Sequence, residues 1–323
     1  MNQTPLNIQS TTEVDLRGSA RRKPGTRRVE SVFEWVIGFS GILAIILVAL
    51  IFVFLLRDAL PVLKEQSLFK MLAGRNWYPL DHIFGFLPLI LGSLLVTLGS
   101  IVISVPIGIA AAVYIGEIAP KRVREILKPG IEMVAAIPSV VVGFIGLVTL
   151  APLLQKMLNL SSGTVALTGA IMLAFMALPT IVSIAEDALA SVPKEYKSAS
   201  LAMGATPWQT VWRVQLPAAR SGVLAAVMLG IGRAIGETMT VLMVTGNAFA
   251  QVRSIGGHDA HVMPYTLFQS VRTMTATIAA EMGETVHYSQ HYSTLFMLGL
   301  VLFLITFVIN LVADIALHKV AHQ

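Results

Sequence analysis

Arg233 and Glu237 stand four residues apart inside an otherwise uncharged run from Ser221 to Ala250. An ionised side chain at the centre of a bilayer costs at least about 2.5–3.5 kcal/mol on insertion scales, so such residues face a bundle interior or a water-filled path. In one continuous helix the i, i+4 spacing puts both on the same face. Gly232 and Gly236, also four apart, add a neighbouring stripe on which another helix can pack closely. A guanidinium stays charged at any relevant pH and grips an oxyanion in a bidentate fork. Arg233 is therefore a candidate cationic site for an anion crossing a membrane, with Glu237 balancing it when the anion is absent. The competing reading is a permanent structural ion pair that no substrate touches.

A second candidate is the polar stretch Ser191 to Pro217. Pro193 suits the start of a short helix, and Gly204 suits a left-handed C-cap. Thr206, Pro207 and Gln209 have the order of a capping box at the start of a second helix, which Leu216-Pro217 closes. Small side chains at Ser198, Ala199, Ser200 and Ala202 let the first helix seat in a groove on a partner, with Tyr196 and Met203 as larger anchors. The alternative is a helix lying on lipid headgroups, with Trp208 and Trp212 at the boundary.

Other residues offer weaker chemistry. Glu186-Asp187 and Glu117 read as interfacial charges at helix ends rather than acid–base pairs. His258, Asp259 and His261, and the pair His287 and His291, read as solvated loop residues without a third convergent metal ligand. Cysteine is absent, which excludes disulfides and thiolate chemistry. The chain has no P-loop, no Gly-x-Ser-x-Gly elbow and no His-Glu-x-x-His motif. It is expected to be no enzyme, and any ATP hydrolysis must come from a partner.

The elements that position these residues follow from composition. Of 323 residues 55% are hydrophobic and 13% charged, against about 25% charged in soluble domains. The apolar residues form runs at Trp35 to Leu56, Ile83 to Gly116, Met133 to Gln155, Met157 to Ala185, Ser221 to Ala250 and Ser293 to Ala313. Each can cross a bilayer core, and each must do so as a helix. The expectation is an all-α membrane protein with six transmembrane helices, bent at Pro88, Pro106 and Pro179. No internal repeat is evident.

Residues 1–30, with six basic residues from Arg17 to Arg28, read as a disordered cytoplasmic tail, and residues 31–323 as the membrane domain. The first apolar run is too long for a signal peptide. Placing the tail inside also places Lys121, Arg122, Arg124, Lys128, Lys194, Lys197, Arg213, Arg220 and Lys319 inside, as the positive-inside rule requires. Six spans then return the C-terminus to the cytoplasm. The net charge of +5 gathers beside hydrophobic runs, which points to topology and lipid rather than nucleic acid. Residues 251–292 form an outer loop in which Thr266 to Met282 has helical spacing, suited to an interfacial anchor or a gate.

The pattern Ser198-Ala199-Ser200, three residues, Gly204, nine residues, Val214-x-Leu216-Pro217 resembles the cytoplasmic loop of ABC importer permeases, whose form is Glu-Ala-Ala, three residues, Gly, nine residues, Ile-x-Leu-Pro. Ser198 departs from the usual Glu; Ser200 and Val214 are milder changes. Phe84 to Pro88, Ala136 to Val140, Gly204 to Trp208, Gly232 to Thr238 and Val271 to Thr275 are most similar to the PstC-type permeases of phosphate importers. The resemblance implies the type I importer architecture in the bacterial inner membrane and a coupling helix that docks on an ATPase. It also implies a PstA-type second permease, a PstB-type ATPase, a PstS-type periplasmic binding protein, and inorganic phosphate as cargo.

Overall fold

The computed structural model describes residues 24–248 and 266–321. They divide into two compact units at Val53/Phe54. Helix α1 is described over Pro24–Ala59, which takes in residues 24–30 of the expected tail. Residues 1–23 lie outside the described part.

Beyond α1 come α2 (Leu68–Ala73) and an antiparallel pair, β1 (Trp77–Tyr78) with β2 (Ile83–Phe84). Next is α3, Leu87–Val113, which ends in a π turn at Tyr114–Ile118. Helix α4 is Lys121–Ala135. Helices α5 (Ser139–Ile145) and α6 (Ala151–Leu158) run on through a π turn at Gly146–Leu150. Helix α7 is Ala166–Ala190 and α8 is Lys194–Ala202. Helices α9 (Pro207–Thr210) and α10 (Leu216–Ala218) are joined by a π turn at Val211–Gln215. The chain continues through α11 (Arg220–Gly236), α12 (Met239–Val244), α13 (Met274–Glu281) and α14 (Gln290–Ala321).

Among the described residues five helical stretches are long and apolar enough to span a bilayer: Phe33–Lys64, Leu87–Ile118, Ser139–Leu158, Ala166–Ala190 and Gln290–Ile315. A sixth arises if Pro207–Ala218 and Arg220–Gly236, bent by 73°, count as one. The all-helical membrane class is as expected, but several boundaries move. Ile83 and Phe84 join the hairpin, so the second span starts at Leu87 and Pro88 sits in its first turn instead of bending it. Pro138 separates amphipathic α4 from the third span, which starts at Ser139 rather than Met133. Asn159 in the left-handed region ends α6, and the fourth span waits until Ala166.

Helix α7 is the centre of the second unit, flanked by α3 and α11. The stripe Gly222, Ala226, Gly230 and Ala234 repeats every four residues on α11 and is the small-residue face the bundle uses. A Cβ built on Gly230 would lie 2.5 Å from Ile181 Cγ1, and one on Gly222 2.4 Å from Ala188 Cβ. Gly108 of α3 meets the other side of Ile181, its Cβ position 2.7 Å from Cγ2. Two glycines thus close on one branched side chain, the kind of approach that holds helices together where lipid is as apolar as they are. Gly232 and Gly236, expected to seat a helix, have nothing within 4 Å of their Cβ positions.

Gly230→Ala is therefore expected to lower the thermal unfolding midpoint of the detergent-purified protein through an overpacking cost of about 1–3 kcal/mol. Gly232→Ala is expected to be neutral or to gain up to about 1 kcal/mol from helix propensity.

Candidate functional site

The fifth apolar run is not one helix. Helix α11 stops at Gly236, Glu237 is extended (φ −68°, ψ 131°), and α12 restarts at Met239. Arg233 and Glu237 consequently leave the shared face that their spacing suggested. Arg233 Nη1 donates to Thr180 Oγ1 on α7 at 3.0 Å, and Nη2 to the Ala135 carbonyl at the end of α4 at 3.4 Å. Glu237 Oε1 accepts the Thr240 backbone N–H at 3.2 Å, and the Glu237 carbonyl accepts Thr275 Oγ1 at 3.0 Å. The carboxylate therefore caps the first turn of α12 rather than neutralising Arg233. Among the described residues no carboxylate forms an ion pair with Arg233.

A second break faces the first. Between α4 and α5 the chain turns at Ala136-Ile137-Pro138, and Thr240 Oγ1 donates across to the Ser139 carbonyl at 3.0 Å. The Ala135 carbonyl lies under Arg233 and the Ser139 carbonyl under Thr240. Arg233 is half-buried, and its described partners are both neutral. Guanidinium carries five N–H groups, so it keeps donors to offer, beside the open space at Gly232 and Gly236.

The polar loop folds as two helical pieces. Gly204 turns the chain with φ +86°, a conformation that costs residues with a Cβ. Thr206 Oγ1 accepts the Gln209 N–H at 3.3 Å while Gln209 Oε1 accepts the Thr206 N–H at 2.9 Å, completing the capping box. Ser200 and Thr210 hydroxyls bond at 3.0 Å, bracing α8 against α9. Ser198, Ala199, Gly204 and Pro217 are exposed, Leu216 is half-buried, and Tyr196 and Met203 stand outward.

Where α3 ends, charges converge. Glu186 on α7 is 1% exposed. Its carboxylate takes Arg124 Nη2 and, at 2.6 Å, Lys128 Nζ, which also reaches Asp187 at 2.9 Å. Arg124 Nη1 donates to the Gly116 carbonyl at 3.4 Å, and Lys197 of α8 pairs with Glu117 at 2.6 Å. Hydrogen bonds that Lys128 donates to Glu186 and then to Asp187 hold its ammonium above the usual lysine range.

The family described as "binding-protein-dependent transport system inner membrane component" matches residues 104–322. The chain belongs to that family. It is 42% identical over 222 residues to the probable ABC transporter permease protein YqgH of Bacillus subtilis, covering 68% of each chain. It is 33% identical over 276 residues to the phosphate transport system permease protein PstC of Mesorhizobium japonicum, covering 80% of each. Among solved structures it resembles a chain of a bacterial ABC transporter that imports alginate, with TM-score 0.58, 15% identity and coverage of 91% of this chain and 99% of that one. A chain of the MetNI methionine ABC transporter gives TM-score 0.56 at 18% identity, covering 76% and 99%. These likenesses show the type I importer permease fold.

Sequence reasoning missed two features of this permease. Glu186 is buried and anchors an ion network in which Arg124, Lys128 and Asp187 stay part-exposed at the helix end. At the opposite end of α3, Glu281 accepts Trp77 Nε1 at 3.2 Å and pairs with Arg272 and His291, each at 2.8 Å. Its members are drawn from four separated segments, so no local spacing announces it; His291 is thereby no solvated loop histidine. Thr266 to Thr273 is not helical either. Leu267 and Gln269 carbonyls accept the Leu167 and Ala166 N–H groups, and the Val271 N–H reaches the Thr245 carbonyl. The segment is paired inside the bundle, and the helix covers only Met274–Glu281. Among the described residues no group of three or more His, Asp or Glu can hold a metal; His258, Asp259 and His261 lie outside them.

Glu186→Gln is expected to destabilise the permease by about 1.5–3 kcal/mol, the range for hydrogen bonds to charged groups. Arg124 and Lys128 are 37% exposed and can turn to water, which keeps the cost below that of stranding a fully buried cation. Because the folded state raises the Lys128 pKa, its contribution is complete at neutral pH and disappears only as pH climbs through that raised value. The stability loss in Lys128→Met should be equal at pH 6 and pH 8 in chemical denaturation, and should shrink above the lysine range.

Proposed function

We propose that the chain is the permease subunit of an ATP-driven phosphate importer of the inner membrane, with both termini in the cytoplasm. It would form half of the translocation path with a PstA-type permease, receive phosphate from a PstS-type binding protein, and be driven by a PstB-type ATPase docked on α8. Likeness to PstC over four fifths of the chain supports the cargo. The observation that carries the site is Arg233: a permanent cation in an apolar run, bonded to a hydroxyl and a carbonyl and to no described carboxylate. A membrane protein tolerates such a charge when an anion comes to it.

Phosphate fits that vacancy in charge because its oxygens accept the fork that Thr180 and Ala135 only partly occupy. Glu237 then acts on the backbone. By capping α12 it holds the break open, leaving Arg233 at the point where α4 and α11 both end. The exposed residues Ser198, Ala199 and Gly204, with Leu216 and Pro217 closing the second helix, supply the surface and the bend through which the ATPase would move the membrane helices.

The test is uptake of radiolabelled phosphate by the complete complex in liposomes, with sulfate and molybdate as competitors. Arg233→Ala is expected to cut uptake at least tenfold, with Arg233→Lys intermediate because a point charge remains without the fork. The double variant Arg233→Ala with Glu237→Ala should stay inactive; full-rate transport by a normally assembled double variant would remove Arg233 from the path. Ala199→Trp, on the exposed face of α8, should abolish copurification of the ATPase while leaving the permease folded.

A further inference from the structure

We propose that Glu117 and Lys197 form the strut through which movement of α8 enters the membrane helices. The proposal rests on ATP-driven import as read above, and names positioning residues rather than groups that touch the cargo.

The hydroxyls of α8 do not make this tie. Ser198 Oγ donates to the Lys194 carbonyl of its own helix at 3.1 Å, and Ser200 bonds to Thr210 within the loop. Lys197, one residue before Ser198, reaches out of the loop and meets Glu117 at 2.6 Å. The membrane helix supplies the acid of this pair and the loop supplies the base.

Glu117 is set where a push is transmitted. Its side chain is 9% exposed, and it sits on the π turn that ends α3. A carboxylate at a helix C-terminus is unfavourable against the helix dipole unless a cation faces it, so Lys197 does more there than an ordinary surface partner. The adjacent Gly116 carbonyl accepts from Arg124, which grips buried Glu186. Glu117 therefore joins α8 to α3, and Arg124 joins α3 to α4 and α7. Around them Ala112, Val113 and Ile115 pack on Ala185, Leu189, Val211 and Val223, so the end of α3 is packed on α7, α11 and the turn after α9, and Lys197 adds the ion pair from α8 itself. That side chain is 43% exposed and borders a cavity of about 510 Å³ between α8 and the bundle, which leaves room for α8 to shift.

The experiment measures phosphate uptake and ATP hydrolysis together in liposomes containing the full complex. Glu117→Gln and Lys197→Met are each expected to keep the ATPase bound and hydrolysing while phosphate moved per ATP falls at least fivefold. Lys197→Arg should retain the ratio, and the reversed pair Glu117→Lys with Lys197→Glu should recover at least half of it. A merely structural pair would lower yield or melting temperature and leave the ratio unchanged, which overturns the strut; so does an assembled reversed pair no better than the single variants. Should Glu117→Gln fail to assemble, Lys197→Met, on a half-exposed side chain, decides. If the unaltered complex moves no phosphate, the functional reading itself fails; if it does and the variants keep the ratio, only the strut falls.

Discussion

Backbone N–H and C=O groups at membrane depth must find partners within the protein, and this permease places three irregular segments there. Threonine hydroxyls tie the turn at Ala136-Ile137-Pro138 to the break at Glu237-Thr238 and that break to α13, while α3 takes the first N–H of α13. Thr240 bonds to Ser139, Thr275 to the Glu237 carbonyl, and Met274 N–H to Ser93 Oγ. The site is therefore a mutual arrangement of interruptions, held in place by α7 behind it.

The same bundle treats Glu186, which is buried, and Arg233, which is half-buried, in opposite ways. Glu186 is enclosed by two cations that neutralise it and fix α4 to α7. Arg233 has neutral oxygens for neighbours and open space beside it. Buried ion pairs are costly to break and serve as fixed joints. A cation left with neutral partners is a poor joint but a good place for a passing anion. The charged joint at Glu186 and the neutral contact of Arg233 with Thr180 fall at different levels of α7.

Much of this was legible in residue order. Long uncharged runs announce spanning helices because lipid allows little else, and Thr206 with Gln209 announces a helix start because capping is decided by residues in sequence contact. Gly204 shows its left-handed turn for the same local reason. Arg233 was likewise readable, since a charge in an apolar run needs no tertiary structure to stand out.

What the sequence determined by itself was the class of protein, the rough places of most of its spans and the residues worth asking about. Only tertiary structure decided that Arg233 and Glu237 part company, that Gly230 rather than Gly232 meets a neighbour, and that Glu281 collects Trp77, Arg272 and His291. Periodicity assumes a continuous helix, and a helix is continuous only until bonds from elsewhere in the fold satisfy its backbone better. At Glu237 and before Met274 they do.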